Sequence, residues 1–347
     1  MTQLIYDSYD FFIFLLLEMN TAKNSRFQEN KLPIFFFLFL FVSAVAVLIK
    51  KLTEKTDRAA DVSTFLRSTK STKTLANKDL FVCGLVRDSS KTVIKNLDDL
   101  RAIGSVFRSC RFILVENDSK DGTDRLLREW AKDKENVILI SKKMDDELAP
   151  LLPKLEKDDN YMRSTRRFTK MAILRNIYME KMEELIDPRV QTWAMIVDLD
   201  LHSIPVKETL QSLSNHADGQ WDMICANGIT SKCHTAGSIC NFIRKDNGKL
   251  GRPYDTLATR LDKNELENSF NSKARDNAWL RHQTTVQNRL NKAKSPVKVS
   301  SCFGGIGVYK AEKIKGMRYT GEDCEHISLN KRLSSIEIIP DFNVYYD

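Results

Sequence analysis

Short apolar runs alternate with helical patterns along most of the chain after residue 79. The first four runs predict buried strands at 80–86, 111–115, 137–140 and 193–197. Between them, apolar residues recur at three- and four-residue steps, which predicts helices at 93–107, 122–132 and 168–185. This alternation favours an α/β fold with a parallel sheet and helices on both faces. Later segments are predicted as a helix at 206–213, strands at 221–226, 297–300, 306–309 and 336–339, and a short helix at 323–333.

Two polar stretches interrupt this pattern. Residues 142–161 are predicted to form a loop that becomes ordered when a ligand binds. The residues from 227 to 294 are also polar, and no helix or strand is predicted there.

An apolar segment at 32–49 precedes this region. It contains no charged residue and is bracketed by Lys31 and Lys50, and its length just reaches that of a transmembrane helix. We therefore predict an N-terminal tail at 1–31, a transmembrane signal-anchor at 32–49, a stem or linker at 50–78 and a catalytic domain at 79–347. The flanking positive charges are nearly balanced, so the orientation stays open. We expect a single-pass type II protein of the Golgi or endoplasmic reticulum with a luminal catalytic domain.

Charge and cysteine content narrow the classes of partner. The formal net charge of +8 suits anionic ligands such as nucleotides or acidic membrane surfaces. Nucleic acid is not expected, because the Lys and Arg residues are spread out and form no recognisable binding module. Seven cysteines occur without a CxxC pair. One or two disulfides are expected if the domain is luminal, and Cys302 with Cys324 is one candidate pair.

The predicted strand at 193–197 leads into two carboxylates, Asp198 and Asp200. Their spacing points both side chains to one face, at the strand end where open α/β sheets bind ligands. Two neighbouring negative charges stay ionised beside a cation, which predicts a divalent metal. The alternative is a strand end that runs into an Asx-type turn without a metal.

A second polar stretch, 116–123, follows the second predicted strand and opens a helix. Asp and Ser at this place are ordinary helix-capping residues. Carboxylates at the same strand end could instead accept hydrogen bonds from a nucleotide base or ribose. Glu116 and Asp118 are thus candidates for either role.

The order of these motifs resembles that of the GT-A-fold nucleotide-sugar glycosyltransferases. It comprises a strand ending near Arg87, the Glu-Asn-Asp-Ser stretch, Arg175-Asn176 and the Asp-Leu-Asp pair. Further motifs resemble the fungal capsule-associated mannosyltransferase family: Arg175-Asn176, Tyr254-Asp255-Thr256, Ser301-Cys302-Phe303-Gly304-Gly305 and Asp323-Cys324-Glu325. This resemblance covers about residues 80–347. It implies a Rossmann-like GT-A domain with a mostly parallel sheet, preceded by the transmembrane helix.

The resemblance also assigns roles to residues. Asp198 and Asp200 would form the DxD motif that holds Mn²⁺ or Mg²⁺ against the donor diphosphate, with His326 completing the metal shell. The residues expected to bind the nucleoside-diphosphate sugar are Arg87, Glu116, Asp118, Arg175, Asp198, Gly304 and Gly305. For Arg175 the alternative is a surface ion pair, for the paired glycines a bulge or tight turn.

Glu322 or Asp323 would take a proton from the acceptor hydroxyl. A carboxylate at a helix start also complements the helix dipole, and His326 could be an ordinary helix residue. An acidic base suits inversion, whereas the fungal family is generally treated as retaining, so the stereochemical outcome stays open.

The predicted function is therefore transfer of a hexose, with mannose as the first choice, from a GDP- or UDP-linked donor to a glycan hydroxyl. One alternative is a non-catalytic, membrane-anchored relative that binds glycans or protein partners. Another is a phosphatase of the haloacid-dehalogenase type. His202 stands where that class needs Thr, and the motif follows the fourth predicted strand instead of the first.

Overall fold

The chain divides into two units, Met1–Ala60 and Asp61–Asp347. The computed structural model describes residues 32–67, 72–157, 159–230, 252–267, 270 and 276–346. Predicted strand positions along the second unit agree with the structure. The first strand begins at Asp79, next to the predicted start at Leu80, while Phe65 and Leu75 are already buried in the core of this unit.

The predicted membrane segment lies within the first helix, α1 (Leu32–Arg67). The side chains of residues 32–42, which make up most of that segment, lie outside the described residues. Within the described ranges, no helix is apolar over a length sufficient to span a bilayer. The signal-anchor therefore stays a prediction, as does the tail at 1–31, which the structure does not describe.

The described residues of the second unit build one mixed sheet. Its strands are β1 (Asp79–Val86), β2 (Ser109–Asn117), β3 (Val137–Lys142), β4 (Thr192–Asp198), β5 (Met223–Thr230), β6 (Arg252–Pro253), β7 (Val297–Val299), β8 (Ile306–Lys310) and β9 (Ile336–Tyr346). Their order is β3-β2-β1-β4-β8-β5-β9-β7, and β6 pairs with β5. Strands β3, β2, β1 and β4 are parallel, as the alternating pattern predicts.

The prediction of a mostly parallel sheet is wrong for the second half. Strand β8 lies between β4 and β5 and is antiparallel to both. Strand β7 is antiparallel to β9, while β5 and β9 are parallel. Beyond β4 the chain no longer alternates strand and helix regularly, so no crossover helix forces the next strand into a parallel direction.

Helices cover both faces of the sheet, as predicted. The remaining helices are α2 (Thr72–Leu75), α3 (Val93–Gly104), α4 (Thr123–Ala131), α5 (Asp145–Leu148), α6 (Thr165–Leu185), α7 (Val206–Asn215), α8 (Asp276–Lys292), α9 (Ala311–Ile314) and α10 (Glu325–Asn330). Along β1, Leu80 and Val82 enter one apolar cluster, while Phe81 and Cys83 enter the other. Alternate residues of a strand point to opposite faces, which explains the two clusters. Helices α3, α4 and α7 contribute to the first cluster, and α6, α8 and α10 to the second.

Three features depart from the sequence analysis. Residues 142–161 contain α5 and short 3-10 turns instead of one irregular loop. Helix α8 lies in the region where no element was predicted, and its few apolar residues include Val286 and Leu290, which are buried. Strand β9 continues past Pro340 to Tyr346, and its pairing with β5 shifts register there.

The candidate cysteine pair is also wrong. Cys302 forms a disulfide with Cys225 on β5, whereas Cys324 is a free, buried thiol. This bond connects β5 to the turn that precedes β8. Cysteine spacing along the chain does not predict this disulfide, because the bond depends on β8 lying beside β5 in the sheet.

Candidate functional site

A cavity of about 250 Å³ opens at the carboxyl ends of β1 and β4. The register pairs Leu85 with Asp198 and Val86 with Glu116, so the ends of β1, β2 and β4 meet at one sheet edge. Of the predicted site residues, Arg87, Arg175, Asp198, Asp200 and His326 line this cavity. The edge predicted from the sequence is therefore the place where the structure has its cavity.

Asp198 and Asp200 stand at the mouth of β4. The carboxylate of Asp198 accepts hydrogen bonds from the Arg175 guanidinium at 3.4 Å and from the Tyr346 hydroxyl at 3.1 Å. Burial raises the pKa of Asp198 despite the opposing charge of Arg175. Burial within the cavity and the charge of Asp198 raise the pKa of Asp200 to about 6, although solvent still reaches this residue. The two carboxylates thus repel each other, and Arg175 compensates only part of their charge.

Arg175 on α6 is buried, with only 3% of its side chain exposed. Its Nε donates to Glu325 at 3.1 Å, and its Nη2 donates to Asp198. Burial acts to lower the pKa of the guanidinium, but Tyr178 and the two carboxylates outweigh it and raise that pKa. Neither reading of Arg175 from the sequence foresaw this arrangement, which is a buried bridge between β4 and the first turn of α10.

His326 also lines the cavity and is buried, with its ring stacked on Phe303 at 3.8 Å between centroids. Among the described residues, neither ring nitrogen has a hydrogen-bond partner. Burial and the charges of Arg175 and Arg167 lower its pKa well below the usual value, so the imidazole is neutral at physiological pH. A neutral imidazole has one unprotonated ring nitrogen, which can accept a hydrogen bond or bind a metal ion.

Sequence reasoning missed several residues of the cavity. Arg167 and Lys170 lie on the first turns of α6, and both line the cavity. Tyr346 bonds Asp198 and stacks on Tyr254 with 3.2 Å between ring centroids. The helical pattern of α6 was visible, but only the pairing of β9 with β5 brings Tyr346 to the site.

Asp255 belongs to one of the family motifs, and it too lines the cavity. Its backbone has a positive φ of 55° and turns the chain after β6. Burial, together with the charges of Asp198 and Glu325, raises its pKa to about 7. The cavity therefore holds four carboxylates, Asp198, Asp200, Asp255 and Glu325.

Glu116 and Asp118 lie at the predicted edge but are not among the lining residues. Glu116 accepts hydrogen bonds from the Ser119 amide at 2.9 Å and the Ser141 hydroxyl at 2.5 Å. Asp118 accepts from the amides of Met144 and Asp145 at 2.9 and 3.0 Å. Both carboxylates therefore organise the turns at the ends of β2 and β3, which favours the structural reading over a nucleotide contact.

Gly304 and Gly305 form a tight turn before β8, with φ values of 63° and 87°. A Cβ on Gly304 would lie 2.1 Å from the carbonyl oxygen of Ala226, and one on Gly305 would lie 2.5 Å from the Tyr346 hydroxyl. Gly304 thus allows close packing against β5. Gly305 leaves room for Tyr346, whose hydroxyl bonds Asp198. Gly305 itself does not line the cavity.

Glu322 and Asp323 precede α10 and do not line the cavity. Glu322 is exposed, whereas Asp323 accepts hydrogen bonds from Arg260 at 3.2 Å and from the Cys324 amide. The next residues, Cys324, Glu325 and His326, do line it. The two predicted general bases are therefore next in sequence to residues that line the cavity. Their catalytic role stays a prediction.

The side chains present fit a divalent cation. Two carboxylates with raised pKa values lack a full counter-charge, and the ring nitrogens of His326 have no hydrogen-bond partner among the described residues, although Nε2 lies 3.8 Å from the Glu325 carboxylate. Over the described ranges, however, no three Asp, Glu, His or Cys side chains are gathered into a ready-made metal site. Magnesium-type sites are often completed by one or two carboxylates and the phosphates of the substrate. Asp198 and Asp200 suit such a site.

Solved structures of low similarity align over much of the chain. TarS 1–349 from S. aureus has 13% identity, a TM-score of 0.39 and covers 77% of this chain. Mannosyltransferase PcManGT from Pyrobaculum calidifontis, solved with GDP-Man and Mn²⁺, has 11% identity, a TM-score of 0.42 and covers 85%. GalNAc-T7, solved with UDP, GalNAc and Mn²⁺, has 11% identity, a TM-score of 0.43 and covers 78%. The alignments span 60%, 67% and 44% of those chains.

A comparison with curated proteins finds no match. The family model described as cryptococcal mannosyltransferase 1, by contrast, matches residues 86–332. That range includes every predicted site residue, from Arg87 to His326, and most of the second unit. It confirms the family resemblance seen in the sequence motifs, and the chain belongs to the cryptococcal mannosyltransferase 1 family.

Proposed function

We propose that this protein transfers mannose from a nucleoside-diphosphate sugar, GDP-mannose in the first instance, to a hydroxyl group of a glycan. The observation that carries the proposal is the cavity in which Asp198 and Asp200 meet Arg87, Lys170 and His326. Carboxylates for a metal and cations for phosphate occur there together, at the sheet edge where α/β folds bind nucleotides. Membership of a mannosyltransferase family supports the choice of sugar.

Asp198 and Asp200 would hold Mn²⁺ or Mg²⁺, and His326 is the candidate third protein ligand. The bound metal would supply Lewis-acid stabilisation of the leaving nucleoside diphosphate. Arg175 holds Asp198 in place through the buried bridge to Glu325. Tyr346 fixes the second oxygen of Asp198.

The acceptor hydroxyl must lose a proton during transfer, and Glu322 and Asp323 are the proposed bases. Asp323 accepts a hydrogen bond from Arg260, whereas Glu322 is exposed and can meet an acceptor from solvent. Glu322→Gln and Asp323→Asn separate the two assignments. The base is the residue whose amide variant loses transfer to acceptor but keeps donor binding.

The function is tested by donor hydrolysis with the full-length chain in detergent. GDP-mannose, UDP-galactose, UDP-glucose and UDP-N-acetylglucosamine are each incubated with Mn²⁺ or with EDTA. We expect metal-dependent turnover of GDP-mannose, reduced about 100-fold or more in Asp200→Asn because loss of one electrostatic contact in a transition state has this magnitude. Asp341→Asn, an exposed carboxylate on β9, is the matched control and should retain activity.

The main alternative is a non-catalytic relative that binds glycans or partners. Equal turnover with and without EDTA would contradict the metal role, and turnover of a UDP-sugar alone would replace the proposed donor. If no donor is hydrolysed and no nucleotide binds, the transferase proposal fails and the binding relative takes its place.

The location in a single-pass membrane of the Golgi or endoplasmic reticulum also belongs to this proposal. The disulfide between Cys225 and Cys302 supports an oxidising compartment, because such bonds are rare in the cytosol. Protease protection of the catalytic unit in sealed microsomes tests it. Digestion without detergent would contradict a luminal position.

A further inference from the structure

One carboxylate outside the catalytic set joins two cations of the cavity. Asp145, at the start of α5, accepts hydrogen bonds from Arg87 at 3.1 Å and from the ammonium group of Lys170. Arg87 follows β1, and Lys170 lies on α6, so the two cations come from separate elements. Both line the cavity, whereas Asp145 does not.

Asp145 is itself held by the end of the sheet. Its amide donates to Asp118, which also accepts from the amide of Met144. The Asn117 amide nitrogen lies 3.5 Å from Asp145. A chain of contacts therefore runs from β2 through Asp118 and Asp145 to the two cations. This chain gives the Glu-Asn-Asp stretch a role other than direct nucleotide contact.

The remaining charges favour an anion beside these cations. Arg175 is already bound to Asp198 and Glu325. Arg87 has a second carboxylate nearby, Asp88 at 3.5 Å, and Arg167 adds a further cation to the lining. Arg87 and Lys170 thus have Asp145 and Asp88 as their ion-pair partners, while the charge of Arg167 acts on Asp200 and Asp255. Arg and Lys side chains with unused donors are the usual partners of phosphate oxygens.

We propose that Lys170 joins Arg87 as the pair that binds the donor diphosphate, and that Asp145 is the positioning residue that fixes both cations toward the cavity. Lys170 was not foreseen from the sequence, and Asp145 acts through its two partners without contacting substrate. The inference rests on the proposed function, because it names the side chains that take the phosphates of the same donor. Holding long side chains before binding lowers the entropy lost on binding.

Calorimetric titration of the full-length chain with GDP, and with inorganic pyrophosphate in EDTA, tests the pair. We expect Lys170→Gln to weaken both ligands about tenfold or more, the usual size for loss of a charged hydrogen bond. Lys170→Arg should retain affinity within about threefold, because a guanidinium keeps the charge and also donates to phosphate oxygens. Lys181→Gln is the control, since Lys181 lies on α6, pairs with Glu184 and is away from the cavity.

Two substitutions of Asp145 isolate its positioning role. Asp145→Asn and Asp145→Ala both remove the negative charge, but only Asn keeps an acceptor oxygen for the two cations. We expect Asp145→Ala to bind both diphosphate probes about fivefold or more weakly than Asp145→Asn, because two side chains lose their fixed orientation. Asp146→Asn, an exposed neighbour, should match the wild type.

The outcomes separate this inference from the proposed function. If Lys170→Gln matches Lys181→Gln, or if the two Asp145 variants bind equally, the inference is overturned while GDP binding by the wild type still supports a donor site. Binding of GDP and pyrophosphate through Lys170 without any sugar turnover would support the phosphate pair and contradict the transferase. A wild-type chain that binds neither probe overturns both.

Discussion

The buried guanidinium of Arg175 connects parts of the site that are far apart in sequence. It bonds Asp198 at the end of β4 and Glu325 at the start of α10. Removing one partner of a buried ion pair leaves the other charge without compensation, which costs about 3–5 kcal/mol. We therefore expect Arg175→Ala to lower the free energy of unfolding by about this amount, measured by urea titration.

The exposed pair of Arg189 and Asp187 provides the control for this prediction. Arg189 is 86% exposed, and Arg189→Ala should leave stability unchanged within error. If the two alanine variants are equally stable, the contacts of Arg175 with Asp198 and Glu325 do not contribute to the stability of the folded protein.

The raised pKa of Asp255 makes the free energy of unfolding depend on pH. Its folded-state pKa is raised to about 7 by burial and by the charges of Asp198 and Glu325. Between the unfolded pKa near 4 and this value, the folded state holds a proton that the unfolded state has released, so stability falls as pH rises. Asp255→Asn should match the wild type near pH 4 and become the more stable protein above pH 7.

The difference between the two proteins is the quantity to measure, by thermal unfolding in EDTA. His326, with its lowered pKa, changes stability in the opposite direction as pH rises, and this contribution cancels in the difference. A constant difference between the variants from pH 4 to pH 8 would contradict the raised pKa of Asp255.

At the scale of elements, the turn before β8 decides how the mixed half of the sheet closes. Gly304 has φ of 63° and a Cβ there would meet the carbonyl oxygen of Ala226. Gly316 has φ of 72° but has open space where a Cβ would lie. We expect Gly316→Ala to cost about 1–2 kcal/mol from backbone strain alone.

Gly304→Ala should cause the same backbone strain and, in addition, displace β5. We therefore expect it to lower the free energy of unfolding clearly more than Gly316→Ala does. Urea unfolding of both variants gives the comparison. Equal losses would mean that the turn adjusts without moving β5, and that close packing against Ala226 is not essential.

Periodicity predicted the parallel elements well and the later ones poorly. Strands β1, β2 and β4 contain continuous buried apolar runs, because inner strands of a parallel sheet are covered on both faces, and the edge strand β3 is apolar but half-buried. Helix α8 is mostly polar and buries only a narrow face. Its apolar residues are therefore too few for a helical period to be recognised in the sequence. Pro340 reads as the end of a strand, yet β9 passes it through an irregular register opposite β5. Such a bulge is set by the neighbouring strand, which sequence alone does not supply.

The candidate site shows the same division. Asp198, Asp200 and Arg87 were predictable because strand ends of one parallel sheet share an edge. Tyr346, Lys170 and the bridge from Arg175 to Glu325 were not, because each depends on packing between distant segments. Glu116 and Asp118 were assigned to the correct edge, but the hydrogen bonds that engage them could be read only from the structure.

At the scale of the whole molecule, the disulfide between Cys225 and Cys302 stabilises the part of the sheet that breaks the parallel pattern. The bond closes a loop with a sequence separation of 77 residues. Closing a loop of this length restricts the unfolded chain, and loss of such a bond typically costs about 2–5 kcal/mol. Cys225→Ala with Cys302→Ala should therefore lower the unfolding free energy by about that amount.

Dithiothreitol supplies the internal control for the same bond. It should destabilise the wild type about as much as the double substitution does, and should leave the double variant unchanged. Thiol titration of the denatured wild type gives an independent reading: seven reactive cysteines would show that the bond is absent. In that case the close contact of β8 with β5 must hold by packing alone, and the support for an oxidising compartment is lost.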